Sequence, residues 1–155
     1  MFETIKKLEV INIRLDADDD PQLIFESLNS TGLDLSEADK IRNYLLMSLS
    51  PTEQDNLYNL FWNPIEVFTK YDPSSFVRYY LTMKQGKIGR IDKIYFIFKE
   101  YAEGNKMARA DLLEDMHHYA KIYSQINNAK AGTDKLNQKL SQLRTLDSTI
   151  AYPFF

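Results

Sequence analysis

The chain has 155 residues, of which 44% are hydrophobic, and a formal net charge of −3. Length and apolar content suffice for one domain with a core, and they exclude a chain that is disordered by composition. A general DNA-coating protein would be basic, because phosphate neutralisation dominates non-specific binding, so this acidic chain is a poor candidate for that class.

The sequence contains no cysteine. This excludes disulfides, thiolate catalysis and cysteine zinc sites, and it fits a reducing cytoplasm, where we expect the protein to be. No run of about 18 apolar residues is present, so we expect no membrane partner. The opening MFETIKKLEV is too short and too charged for a secretory signal.

The first predicted element is a β-strand at residues 8–15, LEVINIRL. Its β-branched content is high, and successive side chains would alternate between two faces. A single strand cannot satisfy its own backbone groups. We therefore expect it either to pair with a second copy, as a homodimer, or to belong to a sheet that lies elsewhere in a longer protein.

The rest of the chain has the apolar spacing of amphipathic helices. The sequence thus predicts a mainly α fold, a bundle-like array of about six to seven helices preceded by one N-terminal β-strand. Helix starts are predicted from cap residues, at Asp20 before Pro21, Ser36 with Asp39, Ser50 with Glu53, and Asp72 before Pro73. Helix ends are predicted at Gly32 and Gly104, an end or a kink at Pro64, and a loop at 84–90.

The chain ends on TIAYPFF, which is apolar where natural termini are usually polar and exposed. Together with the lone strand, this ending predicts that the sequence is a fragment of a longer protein.

His117 and His118 are adjacent in a predicted helix and have acidic neighbours. Side chains of adjacent helical residues point in different directions, so the pair cannot easily share one metal ion. We interpret this segment as a solvated acidic face and predict no metal site. The sequence also lacks HExxH, P-loop and GxGxxG motifs, and we assign no catalytic residue.

A local group of basic residues occurs at positions 84 to 93, formed by Lys84, Lys87, Arg90 and Lys93. These cations predict a nucleic-acid contact through phosphates. The alternative is a solvated loop, which is the usual role of one basic patch on an acidic chain.

A polar turn between two predicted helices is the best site candidate. Asn29 and Gly32 lie at the end of one helix, and Asp39 and Arg42 lie in the first turns of the next. Backbone N–H groups at a helix start can hold an anion, and arginine suits phosphate recognition. A purely structural corner, with Asp39 and Arg42 paired to each other, remains the alternative.

The same stretch, IFESLNSTGLDLSEADKIRNYLL, resembles the hallmark block of the GmrSD-type restriction proteins, which carry a ParB/sulfiredoxin-like NTPase domain (domain of unknown function family 262). The matching positions are Phe25, Asn29, Gly32, Leu35, Ala38, Asp39, Ile41, Arg42 and Asn43. FWNPIE at 61–66 and the late LDSTIAYPFF also resemble the helical middle region of that family.

The resemblance implies bacterial antiphage defence by modification-dependent restriction. On this reading residues 1–48 are the C-terminal edge of a ParB-like nucleotide-binding domain, and residues 49–155 are a helical middle region. Asn29, Gly32, Asp39 and Arg42 would lie at or beside a nucleotide site. The whole protein would use GTP or another NTP with Mg²⁺, and it would act on DNA.

Two parts of the family pattern are absent from the sequence: the Asp-Gly-Gln-Gln-Arg motif of the nucleotide site and the HNH-type nuclease domain. The implied partners are therefore an N-terminal ParB-like domain and a C-terminal nuclease domain of the same parent chain. The fragment would supply one wall of an NTP site and a helical coupling region, without cofactor or catalysis of its own. The alternative is a helical protein- or DNA-interaction module without nucleotide chemistry.

Overall fold

Helices form most of the part of the chain that the structure describes. The computed structural model describes residues 35–47 and 49–145, together with Arg14, Ile24 and Ser27. Two compact units divide the chain, Met1–Gly32 and Leu33–Phe155, and all the elements below belong to the second. This division concerns packing, so the functional boundary expected after residue 48 stays a prediction.

Seven α-helices, a π-helical turn and a 3-10 turn follow one another in the described residues. In chain order they are α1 (Glu37–Leu46), α2 (Pro51–Leu57), the π turn (Tyr58–Trp62), α3 (Asn63–Phe68), α4 (Pro73–Gln85), the 3-10 turn (Ile91–Lys93), α5 (Ile94–Asn105), α6 (Arg109–Asn127) and α7 (Asp134–Thr145). No strand occurs among these residues, and the mainly α prediction is confirmed for them.

Several predictions concern residues outside the described part. These are the strand at 8–15, the Asp20–Pro21 cap, the Gly32 stop and the apolar end of the chain. Of the helix predicted after Pro21, only Ile24 and Ser27 are described, and both are helical.

Local cap chemistry sets three of the helix starts. Ser36 and Asp72 accept hydrogen bonds from backbone N–H groups of α1 and α4. At α2, Ser50 and Glu53 form a complete capping box, in which each side chain is bonded to the backbone N–H of the other residue. These side chains satisfy N–H groups that have no partner within a helix. The three starts predicted from the sequence are therefore confirmed.

Pro64 does not end its helix. A π turn at Tyr58–Trp62 precedes it, and α3 continues through it with proline near its first residue. Pro64 has no backbone N–H to donate to the preceding turn. The residue before it, Asn63, donates its N–H to the carbonyl of Tyr58, which is the wider spacing of a π turn. The expected interruption is thus a change of hydrogen-bond register within a continuous helix.

Gly104 was expected to stop a helix, and this prediction is wrong. It lies inside α5, which continues to Asn105 and ends where Lys106 adopts a left-handed φ of 52°. Glycine does end α4, because Gly86 adopts a φ of 68° and its N–H bonds to the carbonyl of Thr82. A left-handed backbone is least costly for glycine, so glycine is common at such helix ends, but other residues also adopt this conformation there.

One apolar core joins α1, α3, α4, α5 and α6 with the π turn. Its largest fully buried side chains are Trp62, Tyr80, Tyr95, Phe76, Phe98, Ile41, Leu45, Ile65, Leu81, Ile94, Leu112 and Leu113. Tyr44 packs edge-on against Tyr95 and Phe98, with ring centroids 6.5 and 6.3 Å apart. The high aromatic content of the sequence is thus used largely in helix packing, where edge-on ring pairs are favourable.

Both ends of α1 are held by hydrogen bonds to residues of other helices. Its end is held by Arg109, whose guanidinium donates to the carbonyl of Met47. At its start, Glu37 accepts a hydrogen bond from the backbone N–H of Tyr95 at 2.8 Å.

No helix in the described residues is both long and apolar enough to cross a membrane.

Candidate functional site

The first turn of α1 positions two of the predicted site residues. The Ser36 hydroxyl accepts the backbone N–H of Asp39 at 3.1 Å, and it donates to Oδ2 of Asp39 at 2.7 Å. Oδ1 of Asp39 lies 3.0 Å from Nη2 of Arg42. The pair that the i,i+3 spacing allowed is therefore formed, while a nucleotide-binding role for either residue stays a prediction.

Arg42 also reaches a second carboxylate, on α3. Its Nη1 lies 3.5 Å from Oε1 of Glu66. The guanidinium thus lies between Asp39 and Glu66, 30% of its side chain is exposed, and only 18% of the Glu66 side chain is. A guanidinium held by two carboxylates is poorly suited to capture a phosphate alone, but it links the two helices well.

Glu66 is the centre of this group. Its Oε1 accepts a 2.7 Å hydrogen bond from the indole Nε1 of Trp62, which is 1% exposed. Its Oε2 accepts one from the hydroxyl of Tyr58 at 3.3 Å. Three donors from two elements converge on one carboxylate, and a buried indole N–H needs such a partner. We call Asp39, Arg42, Tyr58, Trp62 and Glu66 the Glu66 network.

A small cavity of about 150 Å³ opens beside this network. Ser36, Ala38, Asp39, Trp62, Glu66, Tyr71 and Pro73 line it. Lys70 and Tyr71 precede α4 in left-handed backbone, with φ of 56° and 62°, and the Tyr71 ring is 77% exposed. The cavity has the volume of a few water molecules rather than of a nucleotide. The described residues around it therefore fit a bracing role.

Asn29 and Gly32, the other two predicted nucleotide-site residues, lie outside the described residues. Sequence reasoning did not assign Tyr58, Trp62 and Glu66 to the site, although FWNPIE was noted as a family-like block. The available signal was the i,i+4 spacing of Trp62 and Glu66, which places an indole donor and a carboxylate on one helix face.

The four basic residues predicted to contact nucleic acid line one groove, of about 840 Å³, between α4, the following loop and α5. Its walls are formed by Lys84, Gln85, Lys87, Ile88, Gly89, Arg90, Lys93, Ile97, Glu100, Tyr101, Gly104 and Asn105. We call it the basic groove. The structure brings all four cations together, but whether they contact nucleic acid stays a prediction.

Two of these four cations already have carboxylate partners. Lys84 Nζ lies 2.8 Å from Oδ2 of Asp115 on α6. Arg90 pairs with Asp92 through Nη2 and Oδ2, also at 2.8 Å. Among the described residues, neither Lys87 nor Lys93 forms an ion pair. Asp92 interacts electrostatically with Lys93 as well as with Arg90, so the least compensated cation of the groove is Lys87.

Asp115, the partner of Lys84, also accepts a hydrogen bond from a buried phenol. Its Oδ2 accepts the Tyr80 hydroxyl at 2.6 Å, and the Lys84 ammonium lies 4.6 Å from the ring centroid of Tyr119. Burial raises the pKa of Tyr80 well above its usual range, and the hydrogen bond and charge of Asp115 add to this. Burial alone would lower the pKa of Lys84, but Asp115 raises it overall. The Tyr80 hydroxyl and the Lys84 ammonium therefore both stay protonated in the folded protein at neutral pH.

We expect Tyr80 to make the protein less stable at alkaline pH. Above pH about 10 the phenol ionises in the unfolded chain but not in the folded protein, so the free energy of unfolding falls by about 1.4 kcal/mol per pH unit through this group. Tyr80→Phe should make that decline shallower in urea unfolding between pH 9 and 11. Tyr71→Phe, at an exposed ring, is the control; a decline unchanged in Tyr80→Phe would contradict the assignment.

His117 is not on a fully solvated face, contrary to expectation. Its ring is half-buried and lies 5.8 Å from the Phe61 centroid and 5.7 Å from that of Phe68. His118 is exposed, as predicted. His117 therefore packs α6 against the π turn and α3.

In the described residues, no group of three or more His, Asp or Glu side chains is close enough together to hold a metal ion. Comparison of the chain with protein-family models, with curated proteins and with solved structures gives no match. The part of the chain that the structure describes is mainly helical and carries two candidate sites, the Glu66 network and the basic groove.

Proposed function

We propose that the chain is part of a GmrSD-type restriction protein, in which it forms one wall of an NTP site and the helical region that couples nucleotide turnover to a nuclease. The proposal is supported first by the resemblance of residues 24–46 to the family's hallmark block. GTP or another NTP, with Mg²⁺, would be bound by the parent protein, whose activity would be DNA restriction.

One structural observation carries the coupling part of the proposal. The Arg42–Glu66 contact joins α1, which belongs to the hallmark block, to α3, which contains most of FWNPIE. These are two of the segments on which the resemblance is based. Because Glu66 also holds the buried Trp62, a displacement of α1 would be transmitted to the core through one carboxylate.

In this proposal the family-matched residues have different tasks. Asn29 supplies the direct polar contact to the nucleotide, and Gly32 shapes the turn beside it. Asp39 and Arg42 are positioning residues, since each is already engaged by neighbouring side chains.

The test is GTP hydrolysis by the complete parent protein with Asn29→Ala. Loss of one hydrogen bond to a charged group, about 1.5–3 kcal/mol, should lower the rate about tenfold or more. Asn56→Ala, at an exposed asparagine of α2, is the matched control and should retain the wild-type rate. Unchanged hydrolysis in Asn29→Ala would contradict the nucleotide-site assignment.

A second candidate function is an interaction module without nucleotide chemistry. The basic groove favours this second function, because the cations and the exposed apolar side chain of the groove can bind a partner without a nucleotide. If Asn29→Ala leaves hydrolysis intact, this second function becomes the better account of the chain.

A further inference from the structure

The loop of the basic groove is held in a fixed position by the fold. Arg78 Nε donates to the carbonyl of Gly89 at 2.8 Å. A Cβ at Gly89 would lie 2.7 Å from Cδ1 of Ile97, so the loop backbone packs directly on α5. Gly86, in its left-handed conformation, starts the loop. The side chains on this loop are therefore presented by a defined backbone.

Large apolar side chains are exposed on the loop and on the 3-10 turn and helix α5 that follow it. Ile88 is 66% exposed, Ile91 43% and Phe96 57%. Ile88 lines the groove, and the Lys93 ammonium lies 5.7 Å from the ring centroid of Phe96. Because exposed apolar surface beside polar residues often marks an interaction site, Ile88 among the groove lysines gives the groove the composition of a docking surface.

The charges of the groove define the complementary partner. Lys87 and Lys93 form no ion pair among the described residues. Lys93 interacts electrostatically with Asp92, so Lys87 is the cation most available to attract negative charge. Glu100 also lines the groove, and Asp92 lies beside Arg90. A continuous phosphate backbone would meet these carboxylates, whereas a peptide can place a few carboxylates opposite the lysines and an apolar side chain against Ile88.

We propose that the basic groove binds an acidic peptide segment that carries a large apolar residue next to its carboxylates. The volume of about 840 Å³ falls in the range of clefts that enclose ligands. Charge complementarity with Lys87 and Lys93 would steer and orient the segment, and burial of apolar surface at Ile88 would supply affinity. This inference does not depend on the proposed nucleotide chemistry.

The test is selection of a display library of random nine-residue peptides on the purified full chain. We expect enriched sequences in which Asp or Glu flank Leu, Ile, Met or Phe. By fluorescence anisotropy, Lys87→Glu/Lys93→Glu should weaken an enriched peptide about tenfold or more, and salt should weaken its binding to the wild type. Ile88→Ser should weaken binding with little change in salt dependence.

The matched control is Lys121→Glu/Lys135→Glu, which makes the same change of charge at exposed positions of α6 and α7. It should bind the peptide like the wild type. Enrichment of peptides without acidic residues, or equal binding by both double variants, would overturn the proposal. Labelled single-stranded or duplex DNA of 20 nucleotides that binds more tightly than the best peptide, and is lost in Lys87→Glu/Lys93→Glu, would overturn it in favour of nucleic acid.

Discussion

Replacing Glu66 by alanine is expected to lower the free energy of unfolding by about 3 kcal/mol, because it leaves three donors without their acceptor. The indole N–H of Trp62 is affected most, since that ring is 1% exposed and water cannot easily replace the carboxylate. The Tyr58 hydroxyl and the Arg42 guanidinium lose the same partner but are closer to solvent. Their contribution to the loss is therefore smaller.

Urea unfolding followed by fluorescence measures this effect directly, because Trp62 is the single tryptophan of the chain. Glu66→Gln keeps an oxygen acceptor for one donor and should cost less, about 1 kcal/mol. Glu114→Ala, at an exposed glutamate of α6, is the matched control and should change stability by less than about 0.5 kcal/mol. A loss in Glu66→Ala no larger than in this control would contradict the network.

Replacing Asp115 by alanine is expected to cost about 2 kcal/mol of stability, because the buried Tyr80 hydroxyl and the Lys84 ammonium lose their shared acceptor. Tyr80 is 2% exposed and its hydroxyl lies 2.6 Å from Asp115. Lys84 is nearer to solvent, with 24% of its side chain exposed, so its loss is screened and smaller. Asp55→Ala, at an exposed aspartate of α2, is the control.

A double-mutant cycle separates these two contributions. If the Tyr80 hydrogen bond accounts for most of the loss, Asp115→Ala should cost much less in a Tyr80→Phe background than in the wild type. Equal cost in both backgrounds would contradict this and would assign the effect to Lys84.

The sequence predicted those features of the fold that depend on neighbouring residues. The caps at Ser50 with Glu53 and at Asp72 with Pro73 could be recognised because a cap and its backbone partner are only three residues apart. Gly104 was misjudged because a glycine near a helix end need not be the residue that adopts the left-handed conformation, and Lys106 adopts it instead.

The candidate site was only partly predictable for the same reason. The Asp39–Arg42 pair is local, whereas Glu66 lies 24 residues beyond Arg42, and only packing of α1 near α3 brings them together. Likewise the basic residues at 84 to 93 are close in sequence, but Asp115, which neutralises Lys84, is 31 residues away. Long-range partners decide which charges remain available, and they are not visible in local spacing.

The most direct test of the central claim is to determine the coding sequence upstream and downstream of this segment. Our account predicts an Asp-Gly-Gln-Gln-Arg motif upstream in the same reading frame, which would supply the rest of the nucleotide site that Asn29 is proposed to face. A reading frame that starts at Met1 and stops after Phe155 would contradict it, and the chain would then be better explained as an interaction module.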